Sequence, residues 1–274
     1  MRKRMALSLL LAVGLLAMGC AEMGQVTKAS PSPVLDRVVA AGELRVGISG
    51  DMPPMNMLTK EDAVIGLDAD LAALIAEAMG VKLGLRRMEF SALLPALESG
   101  GIDMIVSNMT MTAERNLKAA FVGPYLESGK AFLTKRSIIA KAKGLPEINS
   151  PQFTFSALNG STSADVIRAG APQAKLVTAA TQNEAIQMVI DGRTDAMIAD
   201  FPICVVAVYR NPAAGLISVG APVTYEPIGV AVPKGDPHLV NWLGNFLKGL
   251  EQAGYFDQLK EKWFGNPAWL PRMK

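Results

Sequence analysis

The segment Asn108–Arg115, NMTMTAER, brings a hydroxyl, a helix start and a guanidinium together within eight residues. The apolar run IDMIV leads into it, so it reads as a strand passing into a helix with Thr112 as the N-cap. Free N–H groups at a helix start attract anions. Thr110 adds a hydroxyl, and Arg115 offers a planar fork that can grip a carboxylate at two points. The alternative is a helix start whose arginine is merely solvated. A second turn rich in small residues, NGSTSAD (Asn159–Asp165), offers the hydroxyls of Ser161 and Thr162. It lacks the GxxxxGK[ST] pattern and the lysine of a phosphate loop. Asp200 closes the apolar run TDAMIAD and precedes Phe201-Pro202. A carboxylate there is desolvated and needs a cation, unless it only caps the helix that follows. Donors for a carboxylate together with an acceptor for an ammonium describe a site for a zwitterion.

A third stretch, DMPPMNML (Asp51–Leu58), crowds Met52, Met55 and Met57 around two prolines. Core strands and helices do not normally carry paired prolines, so this reads as a loop. Its thioethers suit either a soft metal such as copper(I) or the wall of an apolar pocket. The single histidine, His238, lies far along the chain. It supports neither a metal cluster nor a Ser-His or Cys-His nucleophile pair. No cofactor and no metal are expected.

These segments need elements to hold them. ELRVGIS, VKLGLRRM and IDMIVSN read as strands separated by helices. Leu71, Leu74, Ile75 and Ala78 mark the face of the first helix, Gly80 its C-cap, and Ser91 the N-cap of the second. FTFSAL, AKLVTAA and TDAMIAD repeat the plan, with one helix starting at Ser163 and a capping box at Thr181–Glu184 opening the next. Gly100–Val106 also parallels Gly192–Ile198, which pairs Asn108 with Asp200 in the alignment. The expectation is two similar α/β lobes, each a mainly parallel sheet with flanking helices. In such sheets ligands sit beyond the carboxyl ends of the strands, which is where the loop at Asp51 and the segments at Asn108, Asn159 and Asp200 all lie.

The chain has 274 residues, half of them hydrophobic, and a formal net charge of +2. Arg2, Lys3 and Arg4 precede the apolar run Met5–Met18, the pattern of a secretory signal over residues 1–19. Removing it takes three bases and no acid, which turns +2 into −1. Nucleic acid is not an expected partner. Leu16-Ala17-Met18-Gly19-Cys20 resembles a lipobox, so Cys20 is the expected lipidation site and residues 20–32 a tether. The implied product is exported, periplasmic or at the cell surface, held to the membrane by lipid, and monomeric. Cys204, within FPICVV, reads as a buried thiol.

Taken in order, GELRVGIS, GLDADLAALIAEAMG, LLPALESGGIDMIVSNMTMTAER, FVGPYLESG, the Gly160-Ser161-Thr162 turn, DAMIADFP, IGVAVPKGD and EKWFG resemble the family 3 solute-binding proteins of bacterial ABC transporters. The resemblance implies a two-lobe, type II periplasmic-binding-protein fold. Lobe 1 covers 33–130 plus 229–274, lobe 2 covers 131–228, and two strands near GKAFLT and IGVAVP form the hinge. It also implies an amino-acid ligand and an ABC permease as partners. Thr110, Arg115 and Thr162 are then implied to hold the ligand carboxylate, with Ser161 beside them, and Asp200 to take the amine. Relatives commonly place aromatic rings where this chain has Met52 and Leu67, and basic-ligand binders often have an acid at Ser49. A neutral, largely apolar ligand with Asn108 at its rim follows. Some relatives are periplasmic dehydratases acting on cyclohexadienyl amino acids, with a catalytic acid in the lobe 2 turn. Here that turn reads Ser161-Thr162-Ser163-Ala164, with Asp165 one place on, so no enzyme is expected. A sensory binding protein is the further alternative.

Overall fold

Leu44, Val46 and Ile48 recur at every second position and bury one face of the first strand. The computed structural model describes residues 32–219 and 224–274. The secretory signal, Cys20 and residues 20–31 of the tether lie outside the described residues. No described helix is long and apolar enough to cross a membrane.

The strands are β1 (Glu43–Ile48), β2 (Asp51–Met52), β3 (Asn56–Leu58), β4 (Val64–Ile65), β5 (Lys82–Arg87), β6 (Met104–Ile105) and β7 (Ala120–Ser128). They continue as β8 (Lys130–Thr134), β9 (Thr154–Leu158), β10 (Lys175–Ala179), β11 (Ala196–Asp200), β12 (Ile217–Val219) and β13 (Glu226–Val232). The helices are α1 (Pro33–Ala41), α2 (Leu67–Ala78), α3 (Phe90–Glu98), α4 (Ala113–Asn116) and α5 (Ser137–Ala140). After them come α6 (Thr162–Gly170), α7 (Gln182–Ile190), α8 (Phe201–Arg210), α9 (Pro237–Gln252) and α10 (Tyr255–Lys260).

Two five-stranded sheets result, ordered β5-β1-β6-β13-β7 and β10-β9-β11-β8-β12. In the first, β1 runs parallel to β5 and β6, while β13 is antiparallel to both β6 and β7. In the second, β9 runs parallel to β10 and β11, while β8 is antiparallel to both β11 and β12. Each sheet therefore has four strands running one way and a single reversed strand, β13 or β8. The chain leaves the first sheet at Gly129, between β7 and β8, and returns to it between β12 and β13. Lys130 thus opens a strand of the second sheet and Glu226 a strand of the first, whereas the expected bounds 33–130 and 131–228 place them the other way round.

The repeated phrase has a physical basis. Asp103, entering β6, takes the Arg45 N–H at 2.8 Å and returns its own N–H to the Arg45 carbonyl at 2.8 Å. Asp195, entering β11, does the same with Thr154, at 2.7 Å in both directions. Each aspartate locks a central strand to its parallel neighbour.

Some expectations shift by a residue or two. Helix α3 starts at Phe90 with Glu89 as its N-cap, two residues ahead of the expected Ser91, which lies inside the first turn; burial of Phe90 draws the start forward. On α2, Leu71, Ala72, Ile75 and Ala76 are buried while Ala78 is exposed. Helix α6 starts at Thr162 with Ser161 as its N-cap, one residue ahead of the expected Ser163. Thr181 caps α7 as expected, its Oγ1 accepting the Glu184 N–H at 3.1 Å.

The methionine stretch is not an exposed loop. It forms the β2–β3 hairpin around Pro53-Pro54, and Met52, Met55 and Met57 are all buried in the main core. Cys204 is buried too; its Sγ lies 3.7 Å from the Ala131 carbonyl, and burial pushes its thiol up to about 12.

Candidate functional site

The strand ends of the two sheets meet along one line. Asn108 stands just after β6 with φ 47°, a left-handed conformation that asparagine tolerates better than most residues. This turn aims its amide across the line, and Nδ2 donates to Asp200 Oδ2 at 3.1 Å. The two positions that align in the internal repeat thus face one another. Asn108 Nδ2 also lies 3.7 Å from Met52 Sδ. Its Oδ1 is buried with no hydrogen-bond partner, a free acceptor beside the Asp200 carboxylate.

Thr110 and Thr162 approach from opposite sheets, and their hydroxyl oxygens are 3.4 Å apart. Thr112 caps α4 by accepting the Arg115 N–H at 3.1 Å. Helix α4 is a single turn, so its dipole adds little and its cap serves mainly to orient Arg115. That side chain is buried, with its guanidinium 5.5 Å from the centre of the Phe90 ring. Nη1 donates to the Thr110 carbonyl at 2.8 Å, and Nη2 to the Gly160 carbonyl of the second half at 2.9 Å. Burial lowers the guanidinium pKa, while Asp165, Glu226, Asp200 and Glu114 oppose that shift. Arg115, Thr162 and Gly160 also line a cavity of about 270 Å³ that opens beside the contact.

Two charged residues that sequence reasoning passed over sit at the centre. Lys130, 2 % exposed, places Nζ 3.2 Å from each Asp200 oxygen and 3.5 Å from Glu226 Oε2. Glu226 Oε2 accepts from Thr110 Oγ1 at 2.8 Å and from Thr162 Oγ1 at 2.9 Å, and Oε1 accepts from Thr224 at 2.9 Å. Burial opposes ionisation of Glu226, but Lys130 and the three hydroxyls outweigh it and hold its pKa below the usual glutamate value. Both residues open a reversed strand, so each stands level with the carboxyl end of a neighbour. Lys130 is paired in register with Asp200, and Glu226 with Ser128. A charge at the head of an otherwise apolar strand was the available signal.

Other expected residues fall outside this cluster. The Ser161 hydroxyl donates to the Leu158 carbonyl at 2.7 Å and caps α6, so it is spent within its own turn. The Ser49 hydroxyl donates to Asn56 Oδ1 at 2.9 Å. Asn56 donates in turn to Asp68 at 2.7 Å, which also accepts from the Tyr125 hydroxyl at 2.7 Å. Ser49 therefore belongs to a buried network that fixes the hairpin. Leu67 is buried at the start of α2 among core residues. Asp200 caps α8 by position, but its side chain makes no cap hydrogen bond and faces Lys130 and Asn108.

A pair of mainly parallel sheets whose strand ends converge on donors from both halves defines a type II periplasmic binding protein. The family model for bacterial extracellular solute-binding proteins, family 3, matches residues 44–266, and the chain belongs to that family. A cyclohexadienyl dehydratase of Pseudomonas aeruginosa is 27% identical over 84% of this chain and 85% of its own length. The ABC transporter glutamine-binding protein GlnH of Bacillus subtilis is 30% identical over 88% of each chain. Among solved structures, a putative ABC transporter binding component from Wolinella succinogenes, complexed with lysine, is 37% identical. It aligns with a TM-score of 0.79 over 84% of this chain and 99% of its own.

Proposed function

We propose that this protein binds a small amino acid between its two halves, outside the cytoplasm, and delivers it to an ABC permease. The observation that carries this reading is the meeting of donors and acceptors across the contact. Thr110, Arg115 and Thr162 supply donors for a carboxylate; Asp200 and the unpartnered Asn108 Oδ1 supply acceptors for an amine. Lobe 1 is taken as 33–130 plus 229–274 and lobe 2 as 131–228, with hinge bending at the two crossings. Ligand docks on one lobe, and closure brings the other lobe's groups onto it. The side-chain pocket is assigned to a neutral, largely apolar residue. Met52 beside Asn108 supports this. Calorimetry over an amino-acid panel tests it, and arginine emerging as the tightest ligand overturns the neutral assignment. Transport rather than sensing is supported by the relatives named for ABC transporters.

The dehydratase relative motivates a second reading, an enzyme on the same fold. The binding reading is favoured because the acid next to the lobe 2 turn in sequence, Asp165, is exposed and pairs with Arg168 at 2.7 Å, while the acid that touches the turn, Glu226, is held by Lys130 and Thr110. Turnover of prephenate or arogenate by purified protein would establish the enzyme instead. Export, with lipid attached at Cys20, is proposed from the lipobox-like stretch. Metabolic labelling with a fatty acid, lost in Cys20→Ala, checks it.

A further inference from the structure

Lys130 and Glu226 repeat, within the chain, the charges of the ligand that the cleft is built to hold. Glu226 places a carboxylate oxygen on Thr110 and Thr162 together, 2.8 and 2.9 Å from their hydroxyls. Lys130 places an ammonium 3.2 Å from both oxygens of Asp200. The two ends lie 3.5 Å apart and both side chains are buried. We propose that this pair is an internal counterpart of the zwitterion, holding the two halves together and setting the threshold that a ligand must pass. This inference rests on the amino-acid reading of the same cleft.

Two physical arguments carry it. The first is connectivity. Glu226 is held by Thr110 from one half and Thr162 from the other, and Asp200 by Lys130 from its own sheet and Asn108 from the facing one. The ion pair therefore bridges the contact that hinge opening has to break. The second is charge. Lys130 and Arg115 balance Asp200 and Glu226, so the buried cluster is neutral. A ligand carrying both charges replaces the pair end for end and keeps that balance. One that carries only a carboxylate or only an amine leaves an uncompensated charge in a desolvated place, which is strongly unfavourable. Specificity for a zwitterionic head is thus enforced by the displaced pair as well as by the residues that receive the ligand. Part of the binding energy is used to displace the pair, which lowers apparent affinity in the way a closed, non-competent population does.

Lys130→Met/Glu226→Gln removes both charges at once, keeps the cluster neutral and roughly conserves volume, so folding is preserved where either single change would strand a buried charge. Two measurements follow. Small-angle scattering without added amino acid should give a larger radius of gyration for the double variant than for the wild type. Titration with L-leucine, L-methionine, L-glutamine and L-arginine should show about tenfold or greater tightening for whichever of them the wild type binds. A double variant as compact as the wild type, or one that binds that amino acid more weakly, overturns the proposal. If neither protein binds any amino acid, the reading of the cleft as an amino-acid site fails, while the scattering comparison still decides the ion pair by itself.

Discussion

Arg115 joins the two halves through the Thr110 and Gly160 carbonyls while lying within reach of a carboxylate on Thr110 and Thr162. Arg115→Ala is expected to cost about 2–5 kcal/mol of binding, because it removes the fixed cation and leaves a buried carboxylate without its partner. Asp200→Asn should weaken amino acids more than analogues lacking the amine, a difference that titration of matched pairs reads directly. Asp68 predicts a pH effect. Burial raises it to about 7 from an ordinary 3.8, against the hydrogen bonds from Tyr125 and Asn56. The folded chain then keeps a proton that the unfolded chain releases. The stability from this group is complete below about pH 4 and is lost as the pH rises toward about 7, at up to about 1.4 kcal/mol per unit. Denaturation curves should show Asp68→Asn lacking this decline, and parallel pH profiles would contradict the assignment. At this scale the segments that bring Thr110, Arg115, Thr162 and Asp200 together were legible in the sequence, because each segment leaves an apolar run and enters a turn or helix start. Lys130 and Glu226 were not, since their partners lie 70 and 116 residues away and only strand register brings them together.

The elements explain why that register matters. Ligand groups were sought after strands, which is sound for strands running with the majority. Each sheet, however, contains one reversed strand, and a reversed strand contributes its first residue to the same edge. Nothing in the local patterns of KAFLT or EPIGVAV states the direction in which they pair. The internal repeat was more informative: the equivalent roles of Asp103 and Asp195 make the two β–α–β units structurally alike and bring Asn108 opposite Asp200. The helix caps were read to within two residues, limited by burial of side chains such as Phe90. One cap was missed. Asp236 accepts from Leu239 at 2.9 Å in α9, and from Val34 at 2.9 Å and Leu35 at 3.1 Å in α1. It ties together two helix starts far apart in sequence, so Asp236→Ala should destabilise by about 1–3 kcal/mol. A change within experimental error in urea unfolding would show that the shared cap does not hold α1 in place.

For the whole molecule, family membership and two-sheet architecture followed from the order of weak phrases, because order and spacing carry more information than any one phrase. The methionine stretch shows the limit of composition. Its paired prolines mark a turn rather than a whole loop: the residues on either side pair as β2 and β3, the hairpin is packed into the core, and Met52 reaches the cleft through Asn108. In the proposed function an amino acid binds between the halves with its carboxylate at Arg115 and the paired threonines. Isothermal titration of the purified protein with an amino-acid panel, repeated on Arg115→Ala, tests it most directly. The expected result is one-to-one binding of at least one amino acid, weakened by about 30-fold or more in the variant. Binding that Arg115→Ala leaves unchanged, or no amino acid bound by the wild type, would contradict it.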